Sequence, residues 1–252
     1  MLIIPAIDLK DGKVVRLVQG EYGQKKVYSD SAVSVAKQWE AQGAEIIHIV
    51  DLDGAVRGGL KNIAVVQEVK ANLSVKVHFG GGVRSVDDLK ILFDAGVHKV
   101  IIGTKIFSSH NFLQEIVRYD KLLLKRIIVS IDAKSSDKKN YFVQHTGWTK
   151  STALTAVEAL KQMRDTGIEM AVVTDIMQDG MLSGPNFVFI EKVLKNSCLQ
   201  IIASGGITDL ADIKKLNDLS LKYKHLYGAI IGKALYEGKI NLKEAISNAK
   251  QT

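Results

Sequence analysis

Asp8 and Asp132 are the residues of this chain best suited to acid–base chemistry. Each closes a short apolar run, Ile4-Pro5-Ala6-Ile7-Asp8 and Ile128-Val129-Ser130-Ile131-Asp132, and the two runs lie 124 residues apart. A carboxylate at the end of a buried strand costs free energy unless it is paired, hydrogen-bonded or put to use. One such Asp reads as a cap or turn residue; two at equivalent places read as a functional pair. Two carboxylates in different surroundings can hold separate pKa values, so that one serves as base and the other as acid. That suits an isomerisation, in which a proton leaves one atom and another is delivered elsewhere.

Glycines follow the same repeat. Gly81-Gly82 is answered by Gly205-Gly206, again 124 residues on, and Gly103-Thr104 by Gly232-Lys233, 129 residues on. Glycine lets backbone N–H groups approach an anion closely, and a helix that starts there adds a favourable dipole. One glycine pair is an ordinary turn. Four strand-end sites in matched pairs predict two phosphate cradles across one mouth, and so a long substrate with a phosphate at each end. Asp51 and Asp175 form a third pair at this offset and, with Asp53 and Asp179, read as loop braces. Arg84 either clamps an anion or solvates its helix. Trp148, in a polar connection, either stacks on a flat heterocycle or packs down on a rim. The six histidines show no zinc-type spacing, and Gly80-Gly81-Gly82 lacks the dinucleotide fingerprint. No metal and no cofactor are expected. His48 reads as a satisfied core or supporting group.

The elements that must position these residues are legible as Ile/Val-rich runs, each followed by a helical period. The runs are Leu2–Leu9, Glu45–Asp51, Val75–Phe79, Lys99–Gly103, Arg126–Asp132, Met170–Asp175, Gln200–Ser204 and Ala229–Gly232. Continuous apolar runs mark strands buried on both faces, as in a parallel sheet. Ser31 and Ser85 are expected helix N-caps; Gly43, Gly96 and Gly167 are expected C-caps. Eight such units without a linker give an α/β class fold, a (β/α)8 TIM barrel built from two duplicated (βα)4 half-barrels, with 1–252 as one domain and halves roughly 1–123 and 124–252. The rival is a doubly wound open sheet, and the repeat favours closure. Catalytic groups then belong at the C-terminal ends of the strands, where Asp8, Asp51, Asp132 and Asp175 all fall. Tyr141-Phe142-Val143-Gln144-His145 is expected to form a small hairpin. Gly20 to Gly23, in the long connection after the first strand, reads as a lid with glycine hinges. Cys198 reads as a small core residue opening the seventh strand, and Trp39 as core.

The chain has 252 residues, 46% apolar and 24% charged, enough for a sizeable core. One cysteine excludes an intramolecular disulfide. The N-terminus reaches Asp8 too early for a signal peptide, and no apolar run reaches the ~18 residues that span a bilayer. A cytoplasmic location with no membrane partner is expected. The net charge of +7 is scattered rather than gathered into an aromatic-interleaved run, which disfavours nucleic acid as a partner. It fits steering of an anionic small molecule. A monomer is the expected state.

At this point the chain resembles a known family. Ile4-Pro5-Ala6-Ile7-Asp8-Leu9-Lys10-Asp11-Gly12, Val50-Asp51-Leu52-Asp53-Gly54, Gly80-Gly81-Gly82-Val83-Arg84-Ser85, Ile101-Ile102-Gly103-Thr104, Asp175 through Asp179-Gly180, Ala203-Ser204-Gly205-Gly206 and Ile231-Gly232-Lys233 closely resemble the ProFAR isomerases of histidine biosynthesis. The similarity spans essentially the whole chain. It implies an Amadori rearrangement of a bisphosphorylated aminoaldose, ProFAR, to its ribulosyl product PRFAR, without a cofactor. By motif, Asp8 would be the general base at C2′ and Asp132 the general acid that opens the ribose ring. Trp148 would stack on the aminoimidazole. Gly81, Gly82, Arg84, Gly103, Thr104, Asp175, Gly180, Ser204, Gly205, Gly206, Gly232 and Lys233 would complete the substrate- and phosphate-binding set. The sister cyclase shares both strand-end aspartates, but its first strand typically reads Cys-Leu-Asp. A dual-substrate isomerase acting also on phosphoribosyl anthranilate is a narrower rival; Gln19-Gly20-Glu21-Tyr22-Gly23 looks like the histidine-only form. A non-catalytic bisphosphate-binding barrel is the rival from another class. Two departures stand out: a lysine-rich stretch after Asp132, and an insertion at Lys222 to Leu226 before the last strand.

Overall fold

The computed structural model describes residues 1–18, 21–103, 106, 110–137, 139–145, 148 and 150–250. Thr104, Gly147 and the Gln19-Gly20 part of the first connection lie outside them.

Twelve strands are described. They are β1 (Leu2–Lys10), β2 (Lys13–Val18), β3 (Glu21–Ser29), β4 (Ile46–Asp51), β5 (Lys76–Gly80), β6 (Lys99–Ile102), β7 (Ile127–Lys134), β8 (Phe142–His145), β9 (Lys150–Thr155), β10 (Met170–Asp175), β11 (Gln200–Ser204) and β12 (Leu226–Ile231). Eight of them form a closed ring. β1 pairs with β4, then β5, β6, β7, β10, β11 and β12, which returns to β1, and every pairing is parallel. Helices follow the barrel strands, so the fold is a (β/α)8 barrel and the open-sheet rival is excluded. The repeat reappears in the strand limits: Ile46–Asp51 and Met170–Asp175 are 124 residues apart, as are Lys76–Gly80 and Gln200–Ser204.

The strands alternate between two apolar clusters. Ile4, Ala6, Ile46, Ile101, Ile128, Met170, Val172, Ile202 and Ile230 fill the lumen. Their neighbours, such as Ile3, Ile7, Ile47, Val129, Val173 and Ile201, pack outward against the helices. Trp39 lies in this outer core, at 5% exposure. Local chemistry ends the helices as expected. Ser31 Oγ accepts the Ser34 N–H, and Ser85 with Asp88 makes a reciprocal capping box. Gly167 is itself a C-cap, whereas Gly43 and Gly96 stand one residue beyond Gln42 and Ala95.

The connections after β1 and β7 differ from the rest. The first is a ribbon, with β2 antiparallel to β1 and β3 antiparallel to β2. Glu21 to Gly23, read from sequence as part of a hinged lid, therefore lie in a paired strand. The second is the expected hairpin, β8 on β7 and β9 on β8. Two further expectations are corrected. Cys198 is exposed, because it lies in the turn before β11 and Leu199 takes the buried place. The last strand starts at Leu226 rather than Ala229, since Leu226 and Gly228 already pair with β11.

His48 and His78 share a register level with Ala6, on the lumen side. Among the described residues His48 Nδ1 and His78 Nε2 are buried without a hydrogen-bond partner, so the His48 ring is only partly the satisfied group expected from sequence. Burial lowers the pKa of His48 to about 4 and of His78 to about 3. Both rings are neutral in the folded chain. Below the ordinary value of 6.5 the unfolded chain takes up protons that these rings refuse, so stability falls as pH falls from 6.5 toward these values. His78→Leu removes an orphaned polar atom. Chemical denaturation at pH 7 should show a gain of about 1 kcal/mol. Repeated at pH 4, it should show the variant's advantage grown by a further ~2–3 kcal/mol; an advantage that does not grow would mean His78 is charged or hydrogen-bonded.

Candidate active site

Asp8 and Asp132 both point to the lumen, because each continues a lumen series: Ile4, Ala6, Asp8 and Ile128, Ser130, Asp132. Their partners differ. Arg16 of β2 places Nη1 at 2.8 Å from Asp8 Oδ2, and the two side chains are 13% and 14% exposed. The antiparallel register sets Val15 opposite Asp8, so Arg16 stands one residue along β2 from the carboxylate it meets. Asp132 meets no such cation among the described residues. Its Oδ2 accepts the Trp148 indole N–H at 3.0 Å and its Oδ1 the Ser130 hydroxyl at 3.2 Å.

Burial raises the pKa of both carboxyls, and the charge of Asp179 adds to each rise. At Asp8 the Arg16 guanidinium opposes that rise; at Asp132 the neutral donors Trp148, Ser130 and Thr174 do. A pair so arranged can hold one carboxylate ready to accept a proton and the other ready to give one. Trp148 has φ 70°, a left-handed conformation that costs a Trp about 1–2 kcal/mol. Its indole is committed to Asp132 in this arrangement.

Asp51 and Asp175 face the other way. Asp51 is fully buried and accepts N–H groups of Gly54, Lys61 and Asn62 at 2.8, 2.7 and 2.9 Å, plus the Asn62 side-chain amide at 2.7 Å. Asp175 accepts the Met177 N–H at 3.0 Å and the Asn186 amide at 2.6 Å. Both carboxylates brace their own loops, the reading made from spacing, and both oxygens of Asp175 are taken within its loop.

The glycine sites gather at the same mouth. Gly81 and Gly82 follow β5, and Gly205 and Gly206 follow β11, all at positive φ. Gly59 N–H donates to Gly82 O at 2.9 Å, and Gly184 N–H to Gly206 O at 3.1 Å, so each pair is tied to the preceding loop. Ser204 ends β11 and Gly103 follows β6 beside Ser130. Lys233, after Gly232, donates from Nζ to Gly180 O at 2.9 Å, linking the last cradle to the loop after β10. Arg84 is exposed and lays its guanidinium over Gly58.

Sequence reasoning left four contributors unassigned. Arg16 also fills the space where a side chain at Gly232 would lie, so it touches both Asp8 and the last cradle. Tyr236 donates its hydroxyl to Ala6 O at 3.1 Å and packs on Tyr28 with ring centroids 4.8 Å apart. Asn62 and Asn186 obey the offset of 124, a signal present in the sequence and overlooked.

The histidine biosynthesis protein family matches this chain over residues 2–241. A relative from Oceanobacillus iheyensis is 44% identical over 246 residues, covering 98% of this chain and 97% of its own length. One from Bacillus cereus is 44% identical over 250 residues, covering 99% of each chain. One from Acetivibrio thermocellus is 39% identical, covering 99% of this chain and all of its own. The chain belongs to the histidine biosynthesis protein family. All three relatives bear the name 1-(5-phosphoribosyl)-5-((5-phosphoribosylamino)methylideneamino)imidazole-4-carboxamide isomerase.

Family membership leaves the two halves free to diverge, and the glycines show that they have. A Cβ on Gly81 would collide with the Asp51 carbonyl oxygen, whereas one on Gly205 would meet Thr174 Cγ2 at 3.3 Å. Gly205→Ala is expected to cost about 1–2 kcal/mol, the positive φ alone. Gly81→Ala should cost ~3 kcal/mol or more, because backbone must also shift. Thermal or denaturant unfolding of the two variants compares them directly; equal losses would refute the difference in crowding.

Proposed function

We propose that this chain is an intramolecular aldose–ketose isomerase acting on the bisphosphorylated substrate after which its relatives are named. The observation that carries the reading is the unequal partnering of two equivalent carboxylates. Arg16 on Asp8 favours the ionised form, which a general base requires. Asp132, held by neutral donors in a buried site, keeps its proton more readily and suits a general acid. Asp132 protonates the ring oxygen of the aminoaldose and opens the ribose. Asp8 then removes the proton from C2′. The resulting enolamine takes up a proton at C1′ and loses its hydroxyl proton to become the ketone. Carbon skeleton and oxidation level are conserved overall, so the step consumes no other reactant.

The cradles at Gly81-Gly82 with Gly103-Thr104, and at Gly205-Gly206 with Gly232-Lys233, hold the two terminal phosphates in this reading. In the same reading Arg84 and Ser204 add phosphate contacts, and Gly180 carries the loop tied to Lys233. Asp175 acts as a brace for the substrate loop. Trp148 leaves Asp132 to stack on the imidazole once substrate enters. We read the chain as one domain of two half-barrels, a monomer, and a cytoplasmic enzyme of a small-molecule pathway. No helix among the described residues is long and apolar enough to cross a membrane.

Asp8→Asn and Asp132→Asn should each lower kcat on the bisphosphorylated aminoaldose by about 100- to 10,000-fold. Arg16→Gln should shift the acidic limb of the kcat/KM profile to higher pH by about one unit or more. The sign follows from burial raising the Asp8 pKa and Arg16 pulling it back. Full turnover by either Asn variant refutes the acid–base assignment. Tight bisphosphate binding without any turnover by the unmodified chain points instead to a binding barrel.

A further inference from the structure

Asn62 is buried and its amide is heavily engaged. Nδ2 donates to Asp51 Oδ1 at 2.7 Å and to Asp53 Oδ2 at 3.0 Å, while Oδ1 accepts the Gly12 N–H at 3.0 Å. Asp53 Oδ2 also accepts the Asp11 N–H at 2.6 Å. Asp11 and Gly12 form the turn between β1 and β2, with φ of 51° and 75°, and β2 carries Arg16. The loop after β4 therefore grips the turn from which the Arg16 strand departs.

The second half repeats the device with other atoms. Asn186 Nδ2 donates to Asp175 Oδ2 at 2.6 Å and to the Tyr141 hydroxyl at 3.0 Å. Tyr141 immediately precedes β8, the strand that leads toward Trp148. Its ring stacks on Phe189 with centroids 4.4 Å apart, and its carbonyl accepts the Ala156 N–H at 2.8 Å, just past the end of β9. In both halves an Asp on the outer face, through an Asn eleven residues on, holds the ribbon that delivers the carboxylate's partner.

We propose that Asn62 and Asn186 are positioning residues: Asn62 sets Arg16 on Asp8, and Asn186 sets Trp148 on Asp132. The inference rests on the acid–base roles assigned above. Asp11 and Trp148 both sit in left-handed backbone, a conformation that persists only where its surroundings over-determine it. The Asn bridges are those surroundings at Asp11 and at the base of the Trp148 ribbon. An ion pair near a surface weakens as its partners separate, so a loosened turn reaches Asp8 as a changed pKa.

Four variants separate the halves: Asn62→Ala with the milder Asp53→Asn, and Asn186→Ala with the milder Tyr141→Phe. The acidic limb of the kcat/KM profile reads Asp8. Fluorine NMR of fluorotryptophan-labelled protein reads Trp148, and buried Trp39, the only other tryptophan, reports on folding. The first two variants should raise the acidic limb by about half a pH unit or more and leave the Trp148 resonance in place. The last two should move the Trp148 resonance and lower kcat by about tenfold or more, leaving the acidic limb where it was. The proposal is overturned if both readouts move together in all four variants, or if only the melting temperature falls. Absence of turnover in the unmodified chain would sink the isomerase reading alone. The Trp148 resonance would then still decide the second half, supporting it by moving in Asn186→Ala and Tyr141→Phe and overturning it by staying.

Discussion

The ion pair between Asp8 and Arg16 is the contact on which the mouth of the barrel depends. A buried carboxylate left alone would take up a proton and be useless as a base. A guanidinium at 2.8 Å answers that, but it must come from outside β1 and β4, whose side chains are spent on the lumen and the helix layer. The chain supplies it by turning back at Asp11-Gly12 and laying β2 against β1. Room for the guanidinium then has to be found, and Gly232 provides it, since any larger residue would occupy the same volume. Gly232, proposed above as part of a phosphate cradle, is thus also required by the partner of Asp8. Breaking such a pair by removing one partner costs about 3–5 kcal/mol, so the two constraints are hard to relax separately.

Strand alternation separates the four strand-end aspartates into two kinds. Asp8 and Asp132 continue the lumen series, and Asp51 and Asp175 the opposite one. A lumen carboxylate meets whatever enters the mouth. An outward one meets its own loop and saturates its lone pairs with backbone N–H groups, as Asp51 does with three. The same residue type at the same end of neighbouring strands therefore does chemistry in one register and holds a loop in the next.

Much of this was legible in the sequence because it is local. The barrel strands follow from Ile/Val runs, the helix starts from Ser31 and Ser85, and the hairpin before Trp148 from the run Tyr141-Phe142-Val143-Gln144-His145. The ribbon after β1 was not legible. Lys13–Val18 is a short apolar run and Glu21–Ser29 is largely polar, and it is the pairing of β2 on β1 and of β3 on β2 that makes them a ribbon. Cys198 was misread because the apolar run it opens is shifted by one residue against the solvent. Arg16 was visible as a residue but not as a partner, since its role needs the register of β2 on β1. The Asn62–Asn186 pair needed no structure at all. It obeys the offset that revealed the aspartates, and was missed because an Asn carries no chemistry until its neighbours are known.

The duplication explains why the two halves carry equivalent glycines, but it cannot explain why their equivalent aspartates have different partners. Equivalent strands present equivalent aspartates, so any difference in proton affinity has to come from residues that are not equivalent. Those residues lie on the two ribbons. One ribbon brings a cation, the other an indole held in left-handed backbone. The ribbons leave the barrel after its first and fifth strands, so their sequences can change without disturbing the ring of parallel hydrogen bonds or the glycines at its mouth. A symmetric barrel with two exchangeable ribbons can keep one way of holding a two-ended substrate while dividing base from acid. The braces at Asp51–Asn62 and Asp175–Asn186 remain symmetric for the same reason: each has only to hold a ribbon, whatever that ribbon carries.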